Sequence, residues 1–147
     1  MAVDVGTVRV GIAATDPERR IAFPVETIAR GKGTIDRIAT LVAERSVAAV
    51  FVGMPRTLAG AEGASAADAR IVADGLAQRL VVPVRLIDER FSTSIATAAL
   101  HHAGRNSRSQ RGVIDQAAAV VMLEWAIDGE KSGNLDSLTE PVVRGES

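Results

Sequence analysis

Apolar and polar positions alternate with a period of two in the first part of the chain. Val8, Val10 and Ile12 are interleaved with small or charged residues up to Thr15, which predicts a strand from about Val8 to Thr15. A shorter apolar run, Met1 to Val3, ends at Asp4, and Gly6 lies between the two runs. Glycine reaches φ > 0 at little cost, so the pattern reads as strand, tight turn, antiparallel strand, with a carboxylate at the mouth of the turn. Only three residues precede Asp4, fewer than the ~5–6 of an ordinary strand. A turn at Thr15-Asp16-Pro17-Glu18 leads to a third strand, Ile21 to Ile28. Pro24 inside it cannot donate to a ladder, which predicts a strand at the sheet edge.

The period then changes to that of a helix. Thr34 is placed to cap a helix reaching Arg45, with Ile35, Ile38, Leu41 and Val42 on one face. Val47 to Val52 is an uninterrupted apolar run, the pattern of a strand buried on both faces, and Gly53-Met54-Pro55 stops it. After a glycine-rich stretch to Gly63, Ala67, Ile71, Val72 and Leu76 predict a helix from Ala64 to Leu80. Val82 to Ile87 reads as the fifth strand, followed by Asp88-Glu89-Arg90. A short helix is expected from Thr93 to His102 and a polar loop from Ala103 to Gly112. The last helix runs from Gly112 to Ile127, with Ile114, Ala117, Ala118, Val121 and Trp125 at helical spacing. Residues 128–147 lose the pattern and are expected as a loose tail, with a brief extended piece between Leu138 and Val143. Residues 1–127 are expected to form one domain.

The order βββαβαβαα, with right-handed crossovers, implies an α/β fold. Its mixed five-stranded sheet, in the order 3-2-1-4-5, is flanked by helices. Strands one, four and five then end at one edge, where open α/β sheets hold their ligands.

Composition narrows the function. The 147 residues contain no cysteine, so disulfide and thiolate chemistry are excluded. The net charge is −1, so any nucleic-acid surface must be a local patch. Aromatic residues are 3% of the chain, which leaves little area for stacking bases. No run approaches the ~20 apolar residues of a membrane span. The N-terminus lacks the basic-then-apolar pattern of a signal peptide. The expectation is a cytoplasmic protein with no membrane partner, a monomer or homodimer.

Asp4, Glu89 and Asp115 are the candidate catalytic residues. Asp4 ends strand one, Glu89 follows strand five, and Asp115 lies in the first turn of the last helix. Gathered carboxylates repel, by about 4 kcal/mol per pair at ~4 Å and an effective dielectric near 20. Hard cations such as Mg²⁺ or Mn²⁺ relieve that repulsion, and all three residues, with Asp88 as a further candidate, offer oxygen ligands. Such ions assist phosphodiester hydrolysis. Arg9, Arg56, Arg90, Arg105, Arg108 and Arg111 are candidates for binding phosphate, whose oxygens match the guanidinium fork. His101 and His102 are adjacent, about 100° apart on a helix, and cannot chelate as a pair. Trp125 lies on an apolar stripe and reads as core.

Four segments resemble one family. Asp4-Val5-Gly6-Thr7, Val52-Gly53-Met54-Pro55, Asp88-Glu89-Arg90-Phe91-Ser92-Thr93 and Ile114-Asp115-Gln116-Ala117-Ala118-Ala119 are similar, in order and spacing, to motifs of the YqgF-type pre-16S rRNA nucleases. These are also grouped with RuvC-like Holliday-junction resolvases. The resemblance covers Ala2 to about Trp125. It implies a ribonuclease H-like fold, metal-dependent nuclease activity and maturation of the 5′ end of 16S ribosomal RNA. It also implies that Asp4, Glu89 and Asp115 carry the family's acidic positions. Junction resolvases of this fold carry an acid on strand four; here that neighbourhood is Val52-Gly53-Met54-Pro55, which departs from a four-carboxylate site. The expected partner is structured RNA, pre-16S rRNA, with branched DNA as the alternative. Two other classes compete. One is a nucleotide hydrolase of the actin and Hsp70 type, which needs two such lobes. The other is a non-catalytic nucleic-acid-binding module.

Overall fold

The alternating runs become strands and the periodic ones helices in the computed structural model, which describes residues 1–6, 8–55, 64–89 and 111–143. The side chains of residues 55, 64, 65, 88, 89, 111–115 and 138 are outside that description. The elements are β1 (Ala2–Val5), β2 (Arg9–Thr15), β3 (Ala22–Ala29), α1 (Thr34–Glu44), β4 (Val50–Pro55), α2 (Ala64–Arg79), β5 (Val84–Glu89), α3 (Arg111–Ser132), α4 (Leu135–Leu138) and β6 (Thr139–Pro141). The expected helix at 93–102 lies outside the described residues.

The sheet order is β3-β2-β1-β4-β5-β6. β1 and β4, and β4 and β5, pair parallel, while β1–β2, β2–β3 and β5–β6 pair antiparallel. The expected order 3-2-1-4-5 is present, and Pro24 lies in the outermost strand, where a missing donor costs least. The sixth strand falls within the brief extended piece expected between Leu138 and Val143, and its pairing with the sheet is new. Where a loose tail was expected, α3 continues to Ser132 and β6 pairs with β5. Thr139 holds that strand: its hydroxyl accepts from Arg85 Nε at 2.7 Å and donates to the Leu135 carbonyl at 2.8 Å. Three residues of strand are too few for a periodic signal, and a polar side-chain contact to β5 leaves no mark in hydropathy.

Two strands run further than their apolar runs suggest. β4 extends through Gly53-Met54-Pro55, which had read as a stop, and β5 includes Asp88 and Glu89. Register explains it: Met54 pairs with Asp88 and Pro55 with Glu89. β1 pairs with β4 only through Ala2 and Val3, so the proline comes where β4 has already outrun β1.

Each sheet face carries its own core. Val3, Val10, Ile12, Val50, Val52, Val84 and Leu86 pack with α1 and α2. Ala2, Ala13, Phe51 and Ile87 pack with α3 through Ala119, Val120, Met122, Leu123, Ala126 and Ile127. Alanines on both sides let the helix backbone approach the sheet closely. Trp125 packs against this second cluster, in keeping with a core role. α2 turns a different side inward than expected. Val72 and Leu76 are buried, but Ile71 is 65% exposed and Ala67 is also exposed, while Ala66, Ala69, Ala73 and Ala77 face the core. A helix with this many alanines has little hydrophobic contrast between faces. Thr34 is also reassigned. The N-cap is Gly33, without a side-chain bond, and the buried Thr34 hydroxyl instead accepts from Gly31 N–H at 2.8 Å and donates to the Ala29 carbonyl at 3.1 Å.

α3 runs antiparallel to β3. Gln116 near its start touches Thr27, and Ile127 and Lys131 near its end line a cavity with Arg20, Ile21 and Ala22. Five strand residues at about 3.3 Å and eleven helical residues at about 1.5 Å both span roughly 17 Å, so the helix follows the strand along its length.

Candidate functional site

The parallel strands β1, β4 and β5 end at the edge where the β1–β2 turn lies. Asp4 pairs with Gly11, and Gly11 with Thr27, so the three form one row across the sheet. Paired residues share a face. Asp4 also shares the face of Ala2, two positions earlier, whose side chain belongs to the α3 cluster. Read across that face, the row is a half-buried carboxylate, a glycine and a hydroxyl. Glu89 is the last residue of β5, and position 89 has the strand parity of Ile87, another member of that cluster. Position 88 has the opposite parity.

The turn after β1 is tightly built. Gly6 N–H donates to the Arg9 carbonyl at 2.9 Å. A Cβ at Gly6 would stand 2.7 Å from that same carbonyl oxygen, a backbone atom that cannot swing aside, so the position requires glycine. Arg30 then ties the turn to two other elements. Its N–H donates to the Val8 carbonyl at 2.9 Å, Nη1 to the Gly6 carbonyl at 3.4 Å, and Nη2 pairs with Asp68 Oδ1 of α2 at 3.0 Å. Charge-assisted bonds of this kind, on a mostly buried side chain, hold the turn against β3 and α2.

α3 brings its N-terminus to the same edge. Gln116 Nε2 donates to Thr27 Oγ1 at 2.9 Å, joining the helix to the row that contains Asp4. Asp115 is the residue before Gln116, and position 115 precedes Ala119 and Met122 by four and seven residues. Those two are fully buried against the sheet, so position 115 lies on the helical stripe that faces it. The helix N-terminus also carries partial positive charge, which favours carboxylates close by.

The topology therefore brings the backbone of Asp4, Glu89 and Asp115 to one edge of one face. Among the described side chains no group of three metal-ligating residues occurs, and the side chains of Glu89 and Asp115 are outside that set. The donor chemistry is three carboxylates with no histidine or cysteine, which fits a hard, oxygen-preferring cation. Arg9 opens β2 at this edge and is half-buried. Arg111 is the first residue of α3. Arg56, Arg90, Arg105 and Arg108 lie outside the described residues, as do His101 and His102.

Arg30, Asp68, Thr27 and Gln116 were not singled out from the sequence. A polar amide at the start of an otherwise apolar, alanine-rich helix was a usable signal for Gln116. Arg30 had none, because its partners lie 24 and 38 positions away.

Among the described residues no helix is long and apolar enough to cross a membrane. A family model described as "RuvX: Holliday junction resolvase" matches residues 1–129. A protein of Thermobifida fusca named "Putative pre-16S rRNA nuclease" is 49% identical over 145 residues, covering 92% of this chain and 90% of its own length. One of the same name from Mycobacteroides abscessus is 50% identical over 139 residues, covering 91% and 84%. Among solved structures, T. thermophilus RuvC in complex with a Holliday junction substrate is similar, with a TM-score of 0.55 and 13% identity, over 95% of this chain and 96% of that one. At that identity the likeness is one of fold, and the fold is ribonuclease H-like.

Proposed function

Because the chain belongs to the RuvX family, we propose that it is a metal-dependent endonuclease that hydrolyses phosphodiester bonds of structured RNA, at the 5′ end of pre-16S rRNA. The observation that carries this reading is that Asp4, the end of β5 and the start of α3 all lie at the same edge of the sheet. Asp4, Glu89 and Asp115 are the proposed ligands, with Asp88 as a fourth candidate whose strand parity sets it apart. Nucleases of this family and fold use divalent metal ions in general, and Mg²⁺ or Mn²⁺ suits three carboxylates. When bound, the ion supplies charge for the phosphoryl oxygens and a more acidic water.

The chain's own residues do the rest. Asp4 is presented from a short strand whose following turn is closed by Gly6 and braced by Arg30. The α3 N-terminus lowers the cost of gathering acids there. Arg9, Arg56, Arg90, Arg105, Arg108 and Arg111 are the proposed phosphate contacts, and they account for RNA binding without a global positive charge. Pre-16S rRNA is processed where ribosomes assemble, so the proposed location is the cytoplasm. One copy of the chain supplies every proposed acid, as a monomer or within a homodimer.

A second substrate is favoured by the family's description as a Holliday junction resolvase. One experiment addresses both. The purified chain is given a precursor 16S fragment or a four-way DNA junction, with and without Mn²⁺. Cleavage of the RNA alone, metal-dependent and abolished in a folded Asp115→Asn variant, is the expected result. Junction cleavage alone transfers the activity to DNA. An Asp115→Asn protein that cuts as well as the parent removes the site.

A further inference from the structure

We propose that Gln116 is a positioning residue: its hydrogen bond to Thr27 sets how α3 is turned and how far it is slid along the sheet, and so places Asp115 relative to Asp4. The inference rests on the reading of Asp115 as a metal-holding carboxylate and assigns a role to its neighbour.

The far end of α3 is tied by an exposed ion pair, Arg19 Nη1 to Glu130 Oε1 at 2.9 Å, and along its length the helix is held by apolar packing and by the bond at Gln116. Ala119, Val120, Met122, Leu123, Ala126 and Ile127 pack on Ala2, Ala13, Phe51 and Ile87. Such contacts are strong in sum but non-directional, and small alanine side chains make shallow ridges. They bury the helix without specifying its rotation to a few degrees. One residue of slip on a helix is about 1.5 Å of rise and about 100° of turn. A carboxylate moved that far no longer shares a cation with two others.

The Gln116–Thr27 bond is directional and short, 2.9 Å between half-buried side chains 89 positions apart in sequence. Its place matters as much as its strength. Thr27 pairs with Gly11, and Gly11 with Asp4. The connection from Asp4 to Asp115 is therefore two ladder steps, one side-chain hydrogen bond and one peptide link. Three of those four joins are made by backbone, and the fourth is the amide on the hydroxyl. Gly11, between the two polar ends, puts no side chain between the helix and the row.

The test compares Gln116→Ala, Thr27→Val, Thr27→Ser and the double variant Gln116→Ala/Thr27→Val with Asp115→Asn. Cleavage of the precursor 16S fragment gives kcat and KM, and Mn²⁺ affinity is read separately from the ion's paramagnetic resonance signal. Gln116→Ala and Thr27→Val should each lose about ten- to hundredfold in kcat with little change in KM. Each should bind Mn²⁺ about tenfold more weakly, as loss of an outer hydrogen-bond partner does at metal sites. The double variant should be no worse than either single one, because both remove the same bond. Thr27→Ser keeps the hydroxyl and should retain the parent's values. The proposal is overturned if Gln116→Ala and Thr27→Val match the parent in kcat and Mn²⁺ affinity while Asp115→Asn is inactive. It is also overturned if only one of the two loses activity. An active Asp115→Asn instead removes the underlying site, a distinguishable result. Should Gln116→Ala fail to fold, the contrast of Thr27→Val with Thr27→Ser decides.

Discussion

Replacing Gly6 with alanine adds one methyl group to the turn that follows Asp4. That methyl would lie 2.7 Å from the Arg9 carbonyl oxygen, well inside the 3.5–4.0 Å typical of comfortable heavy-atom contacts. Relief requires the backbone to open, and the bond in the way is Gly6 N–H to that same carbonyl, 2.9 Å long. Overpacking of this kind costs about 1–3 kcal/mol, and a lost hydrogen bond about 1 kcal/mol more. For a chain of this size the sum of roughly 2–4 kcal/mol should lower the melting temperature by about 5–15 °C. The functional effect should be larger than the stability effect, since the turn carries the end of β1 and Arg30 braces it through the Gly6 carbonyl. Thermal melts and RNA cleavage, assayed well below the variant's Tm, measure the two separately. Gly75→Ala is the control. There the added Cβ meets only the flexible Ile35 side chain, Cδ1 at 3.2 Å and Cγ1 at 3.4 Å, within a helix where alanine is favoured by ~1 kcal/mol. A Gly6→Ala protein that melts and cuts like the parent would refute the tight-turn argument. One that is destabilised yet fully active would separate the turn from the presentation of Asp4.

Two further expectations concern stability. In a chain of these 147 residues the Met1 amine is buried against the Ala49 carbonyl, and desolvation lowers its pKa from 8.0 to about 5. Between those values the unfolded chain binds a proton that the fold does not, so stability rises with pH from 5 to 8. The total is on the order of 4 kcal/mol at ~1.4 kcal/mol per pH unit, and none of it is gained above pH 8. With Met1 labelled, the ¹⁵N titration of the amine should have its midpoint near 5; a midpoint near 8 would mean that the amine is not held at the start of β1. Thr139→Val removes the acceptor for Arg85 and the donor to Leu135, and should cost about 1–3 kcal/mol. Hydrogen exchange should quicken first along β6 and its partners on β5, whereas protection unchanged there would show that β6 is held by its backbone alone.

Much of this architecture was legible in the chain because it is written locally. The apolar positions Val10 and Ile12, the glycine at position 6 and the proline at position 24 each constrain their own few residues, whereas Val8 falls before the strand and is exposed. Crossover handedness then leaves one strand order, with Asp4 at the end of a central strand. The candidate acids were chosen from the same information, since their sequence positions fall at strand and helix ends. Only the tertiary structure decided how those ends are held. The inward side of α2 depended on packing, because Ala66, Ala69, Ala73 and Ala77 are nearly as apolar as the positions opposite them. The true ends of β4 and β5 depended on each other, through the pairing of Met54 with Asp88 and Pro55 with Glu89. β6 sits where Thr139 meets Arg85 and its backbone pairs with β5, and the turn is braced by Arg30, which also reaches Asp68. α3 meets the sheet through a packed apolar face, an ion pair from Arg19 to Glu130 and the bond of Gln116 to Thr27, all between residues far apart in sequence. Periodicity specifies which residues want to be buried; direction and register come from bonds between residues far apart in sequence, and these form only when the whole sheet is in place.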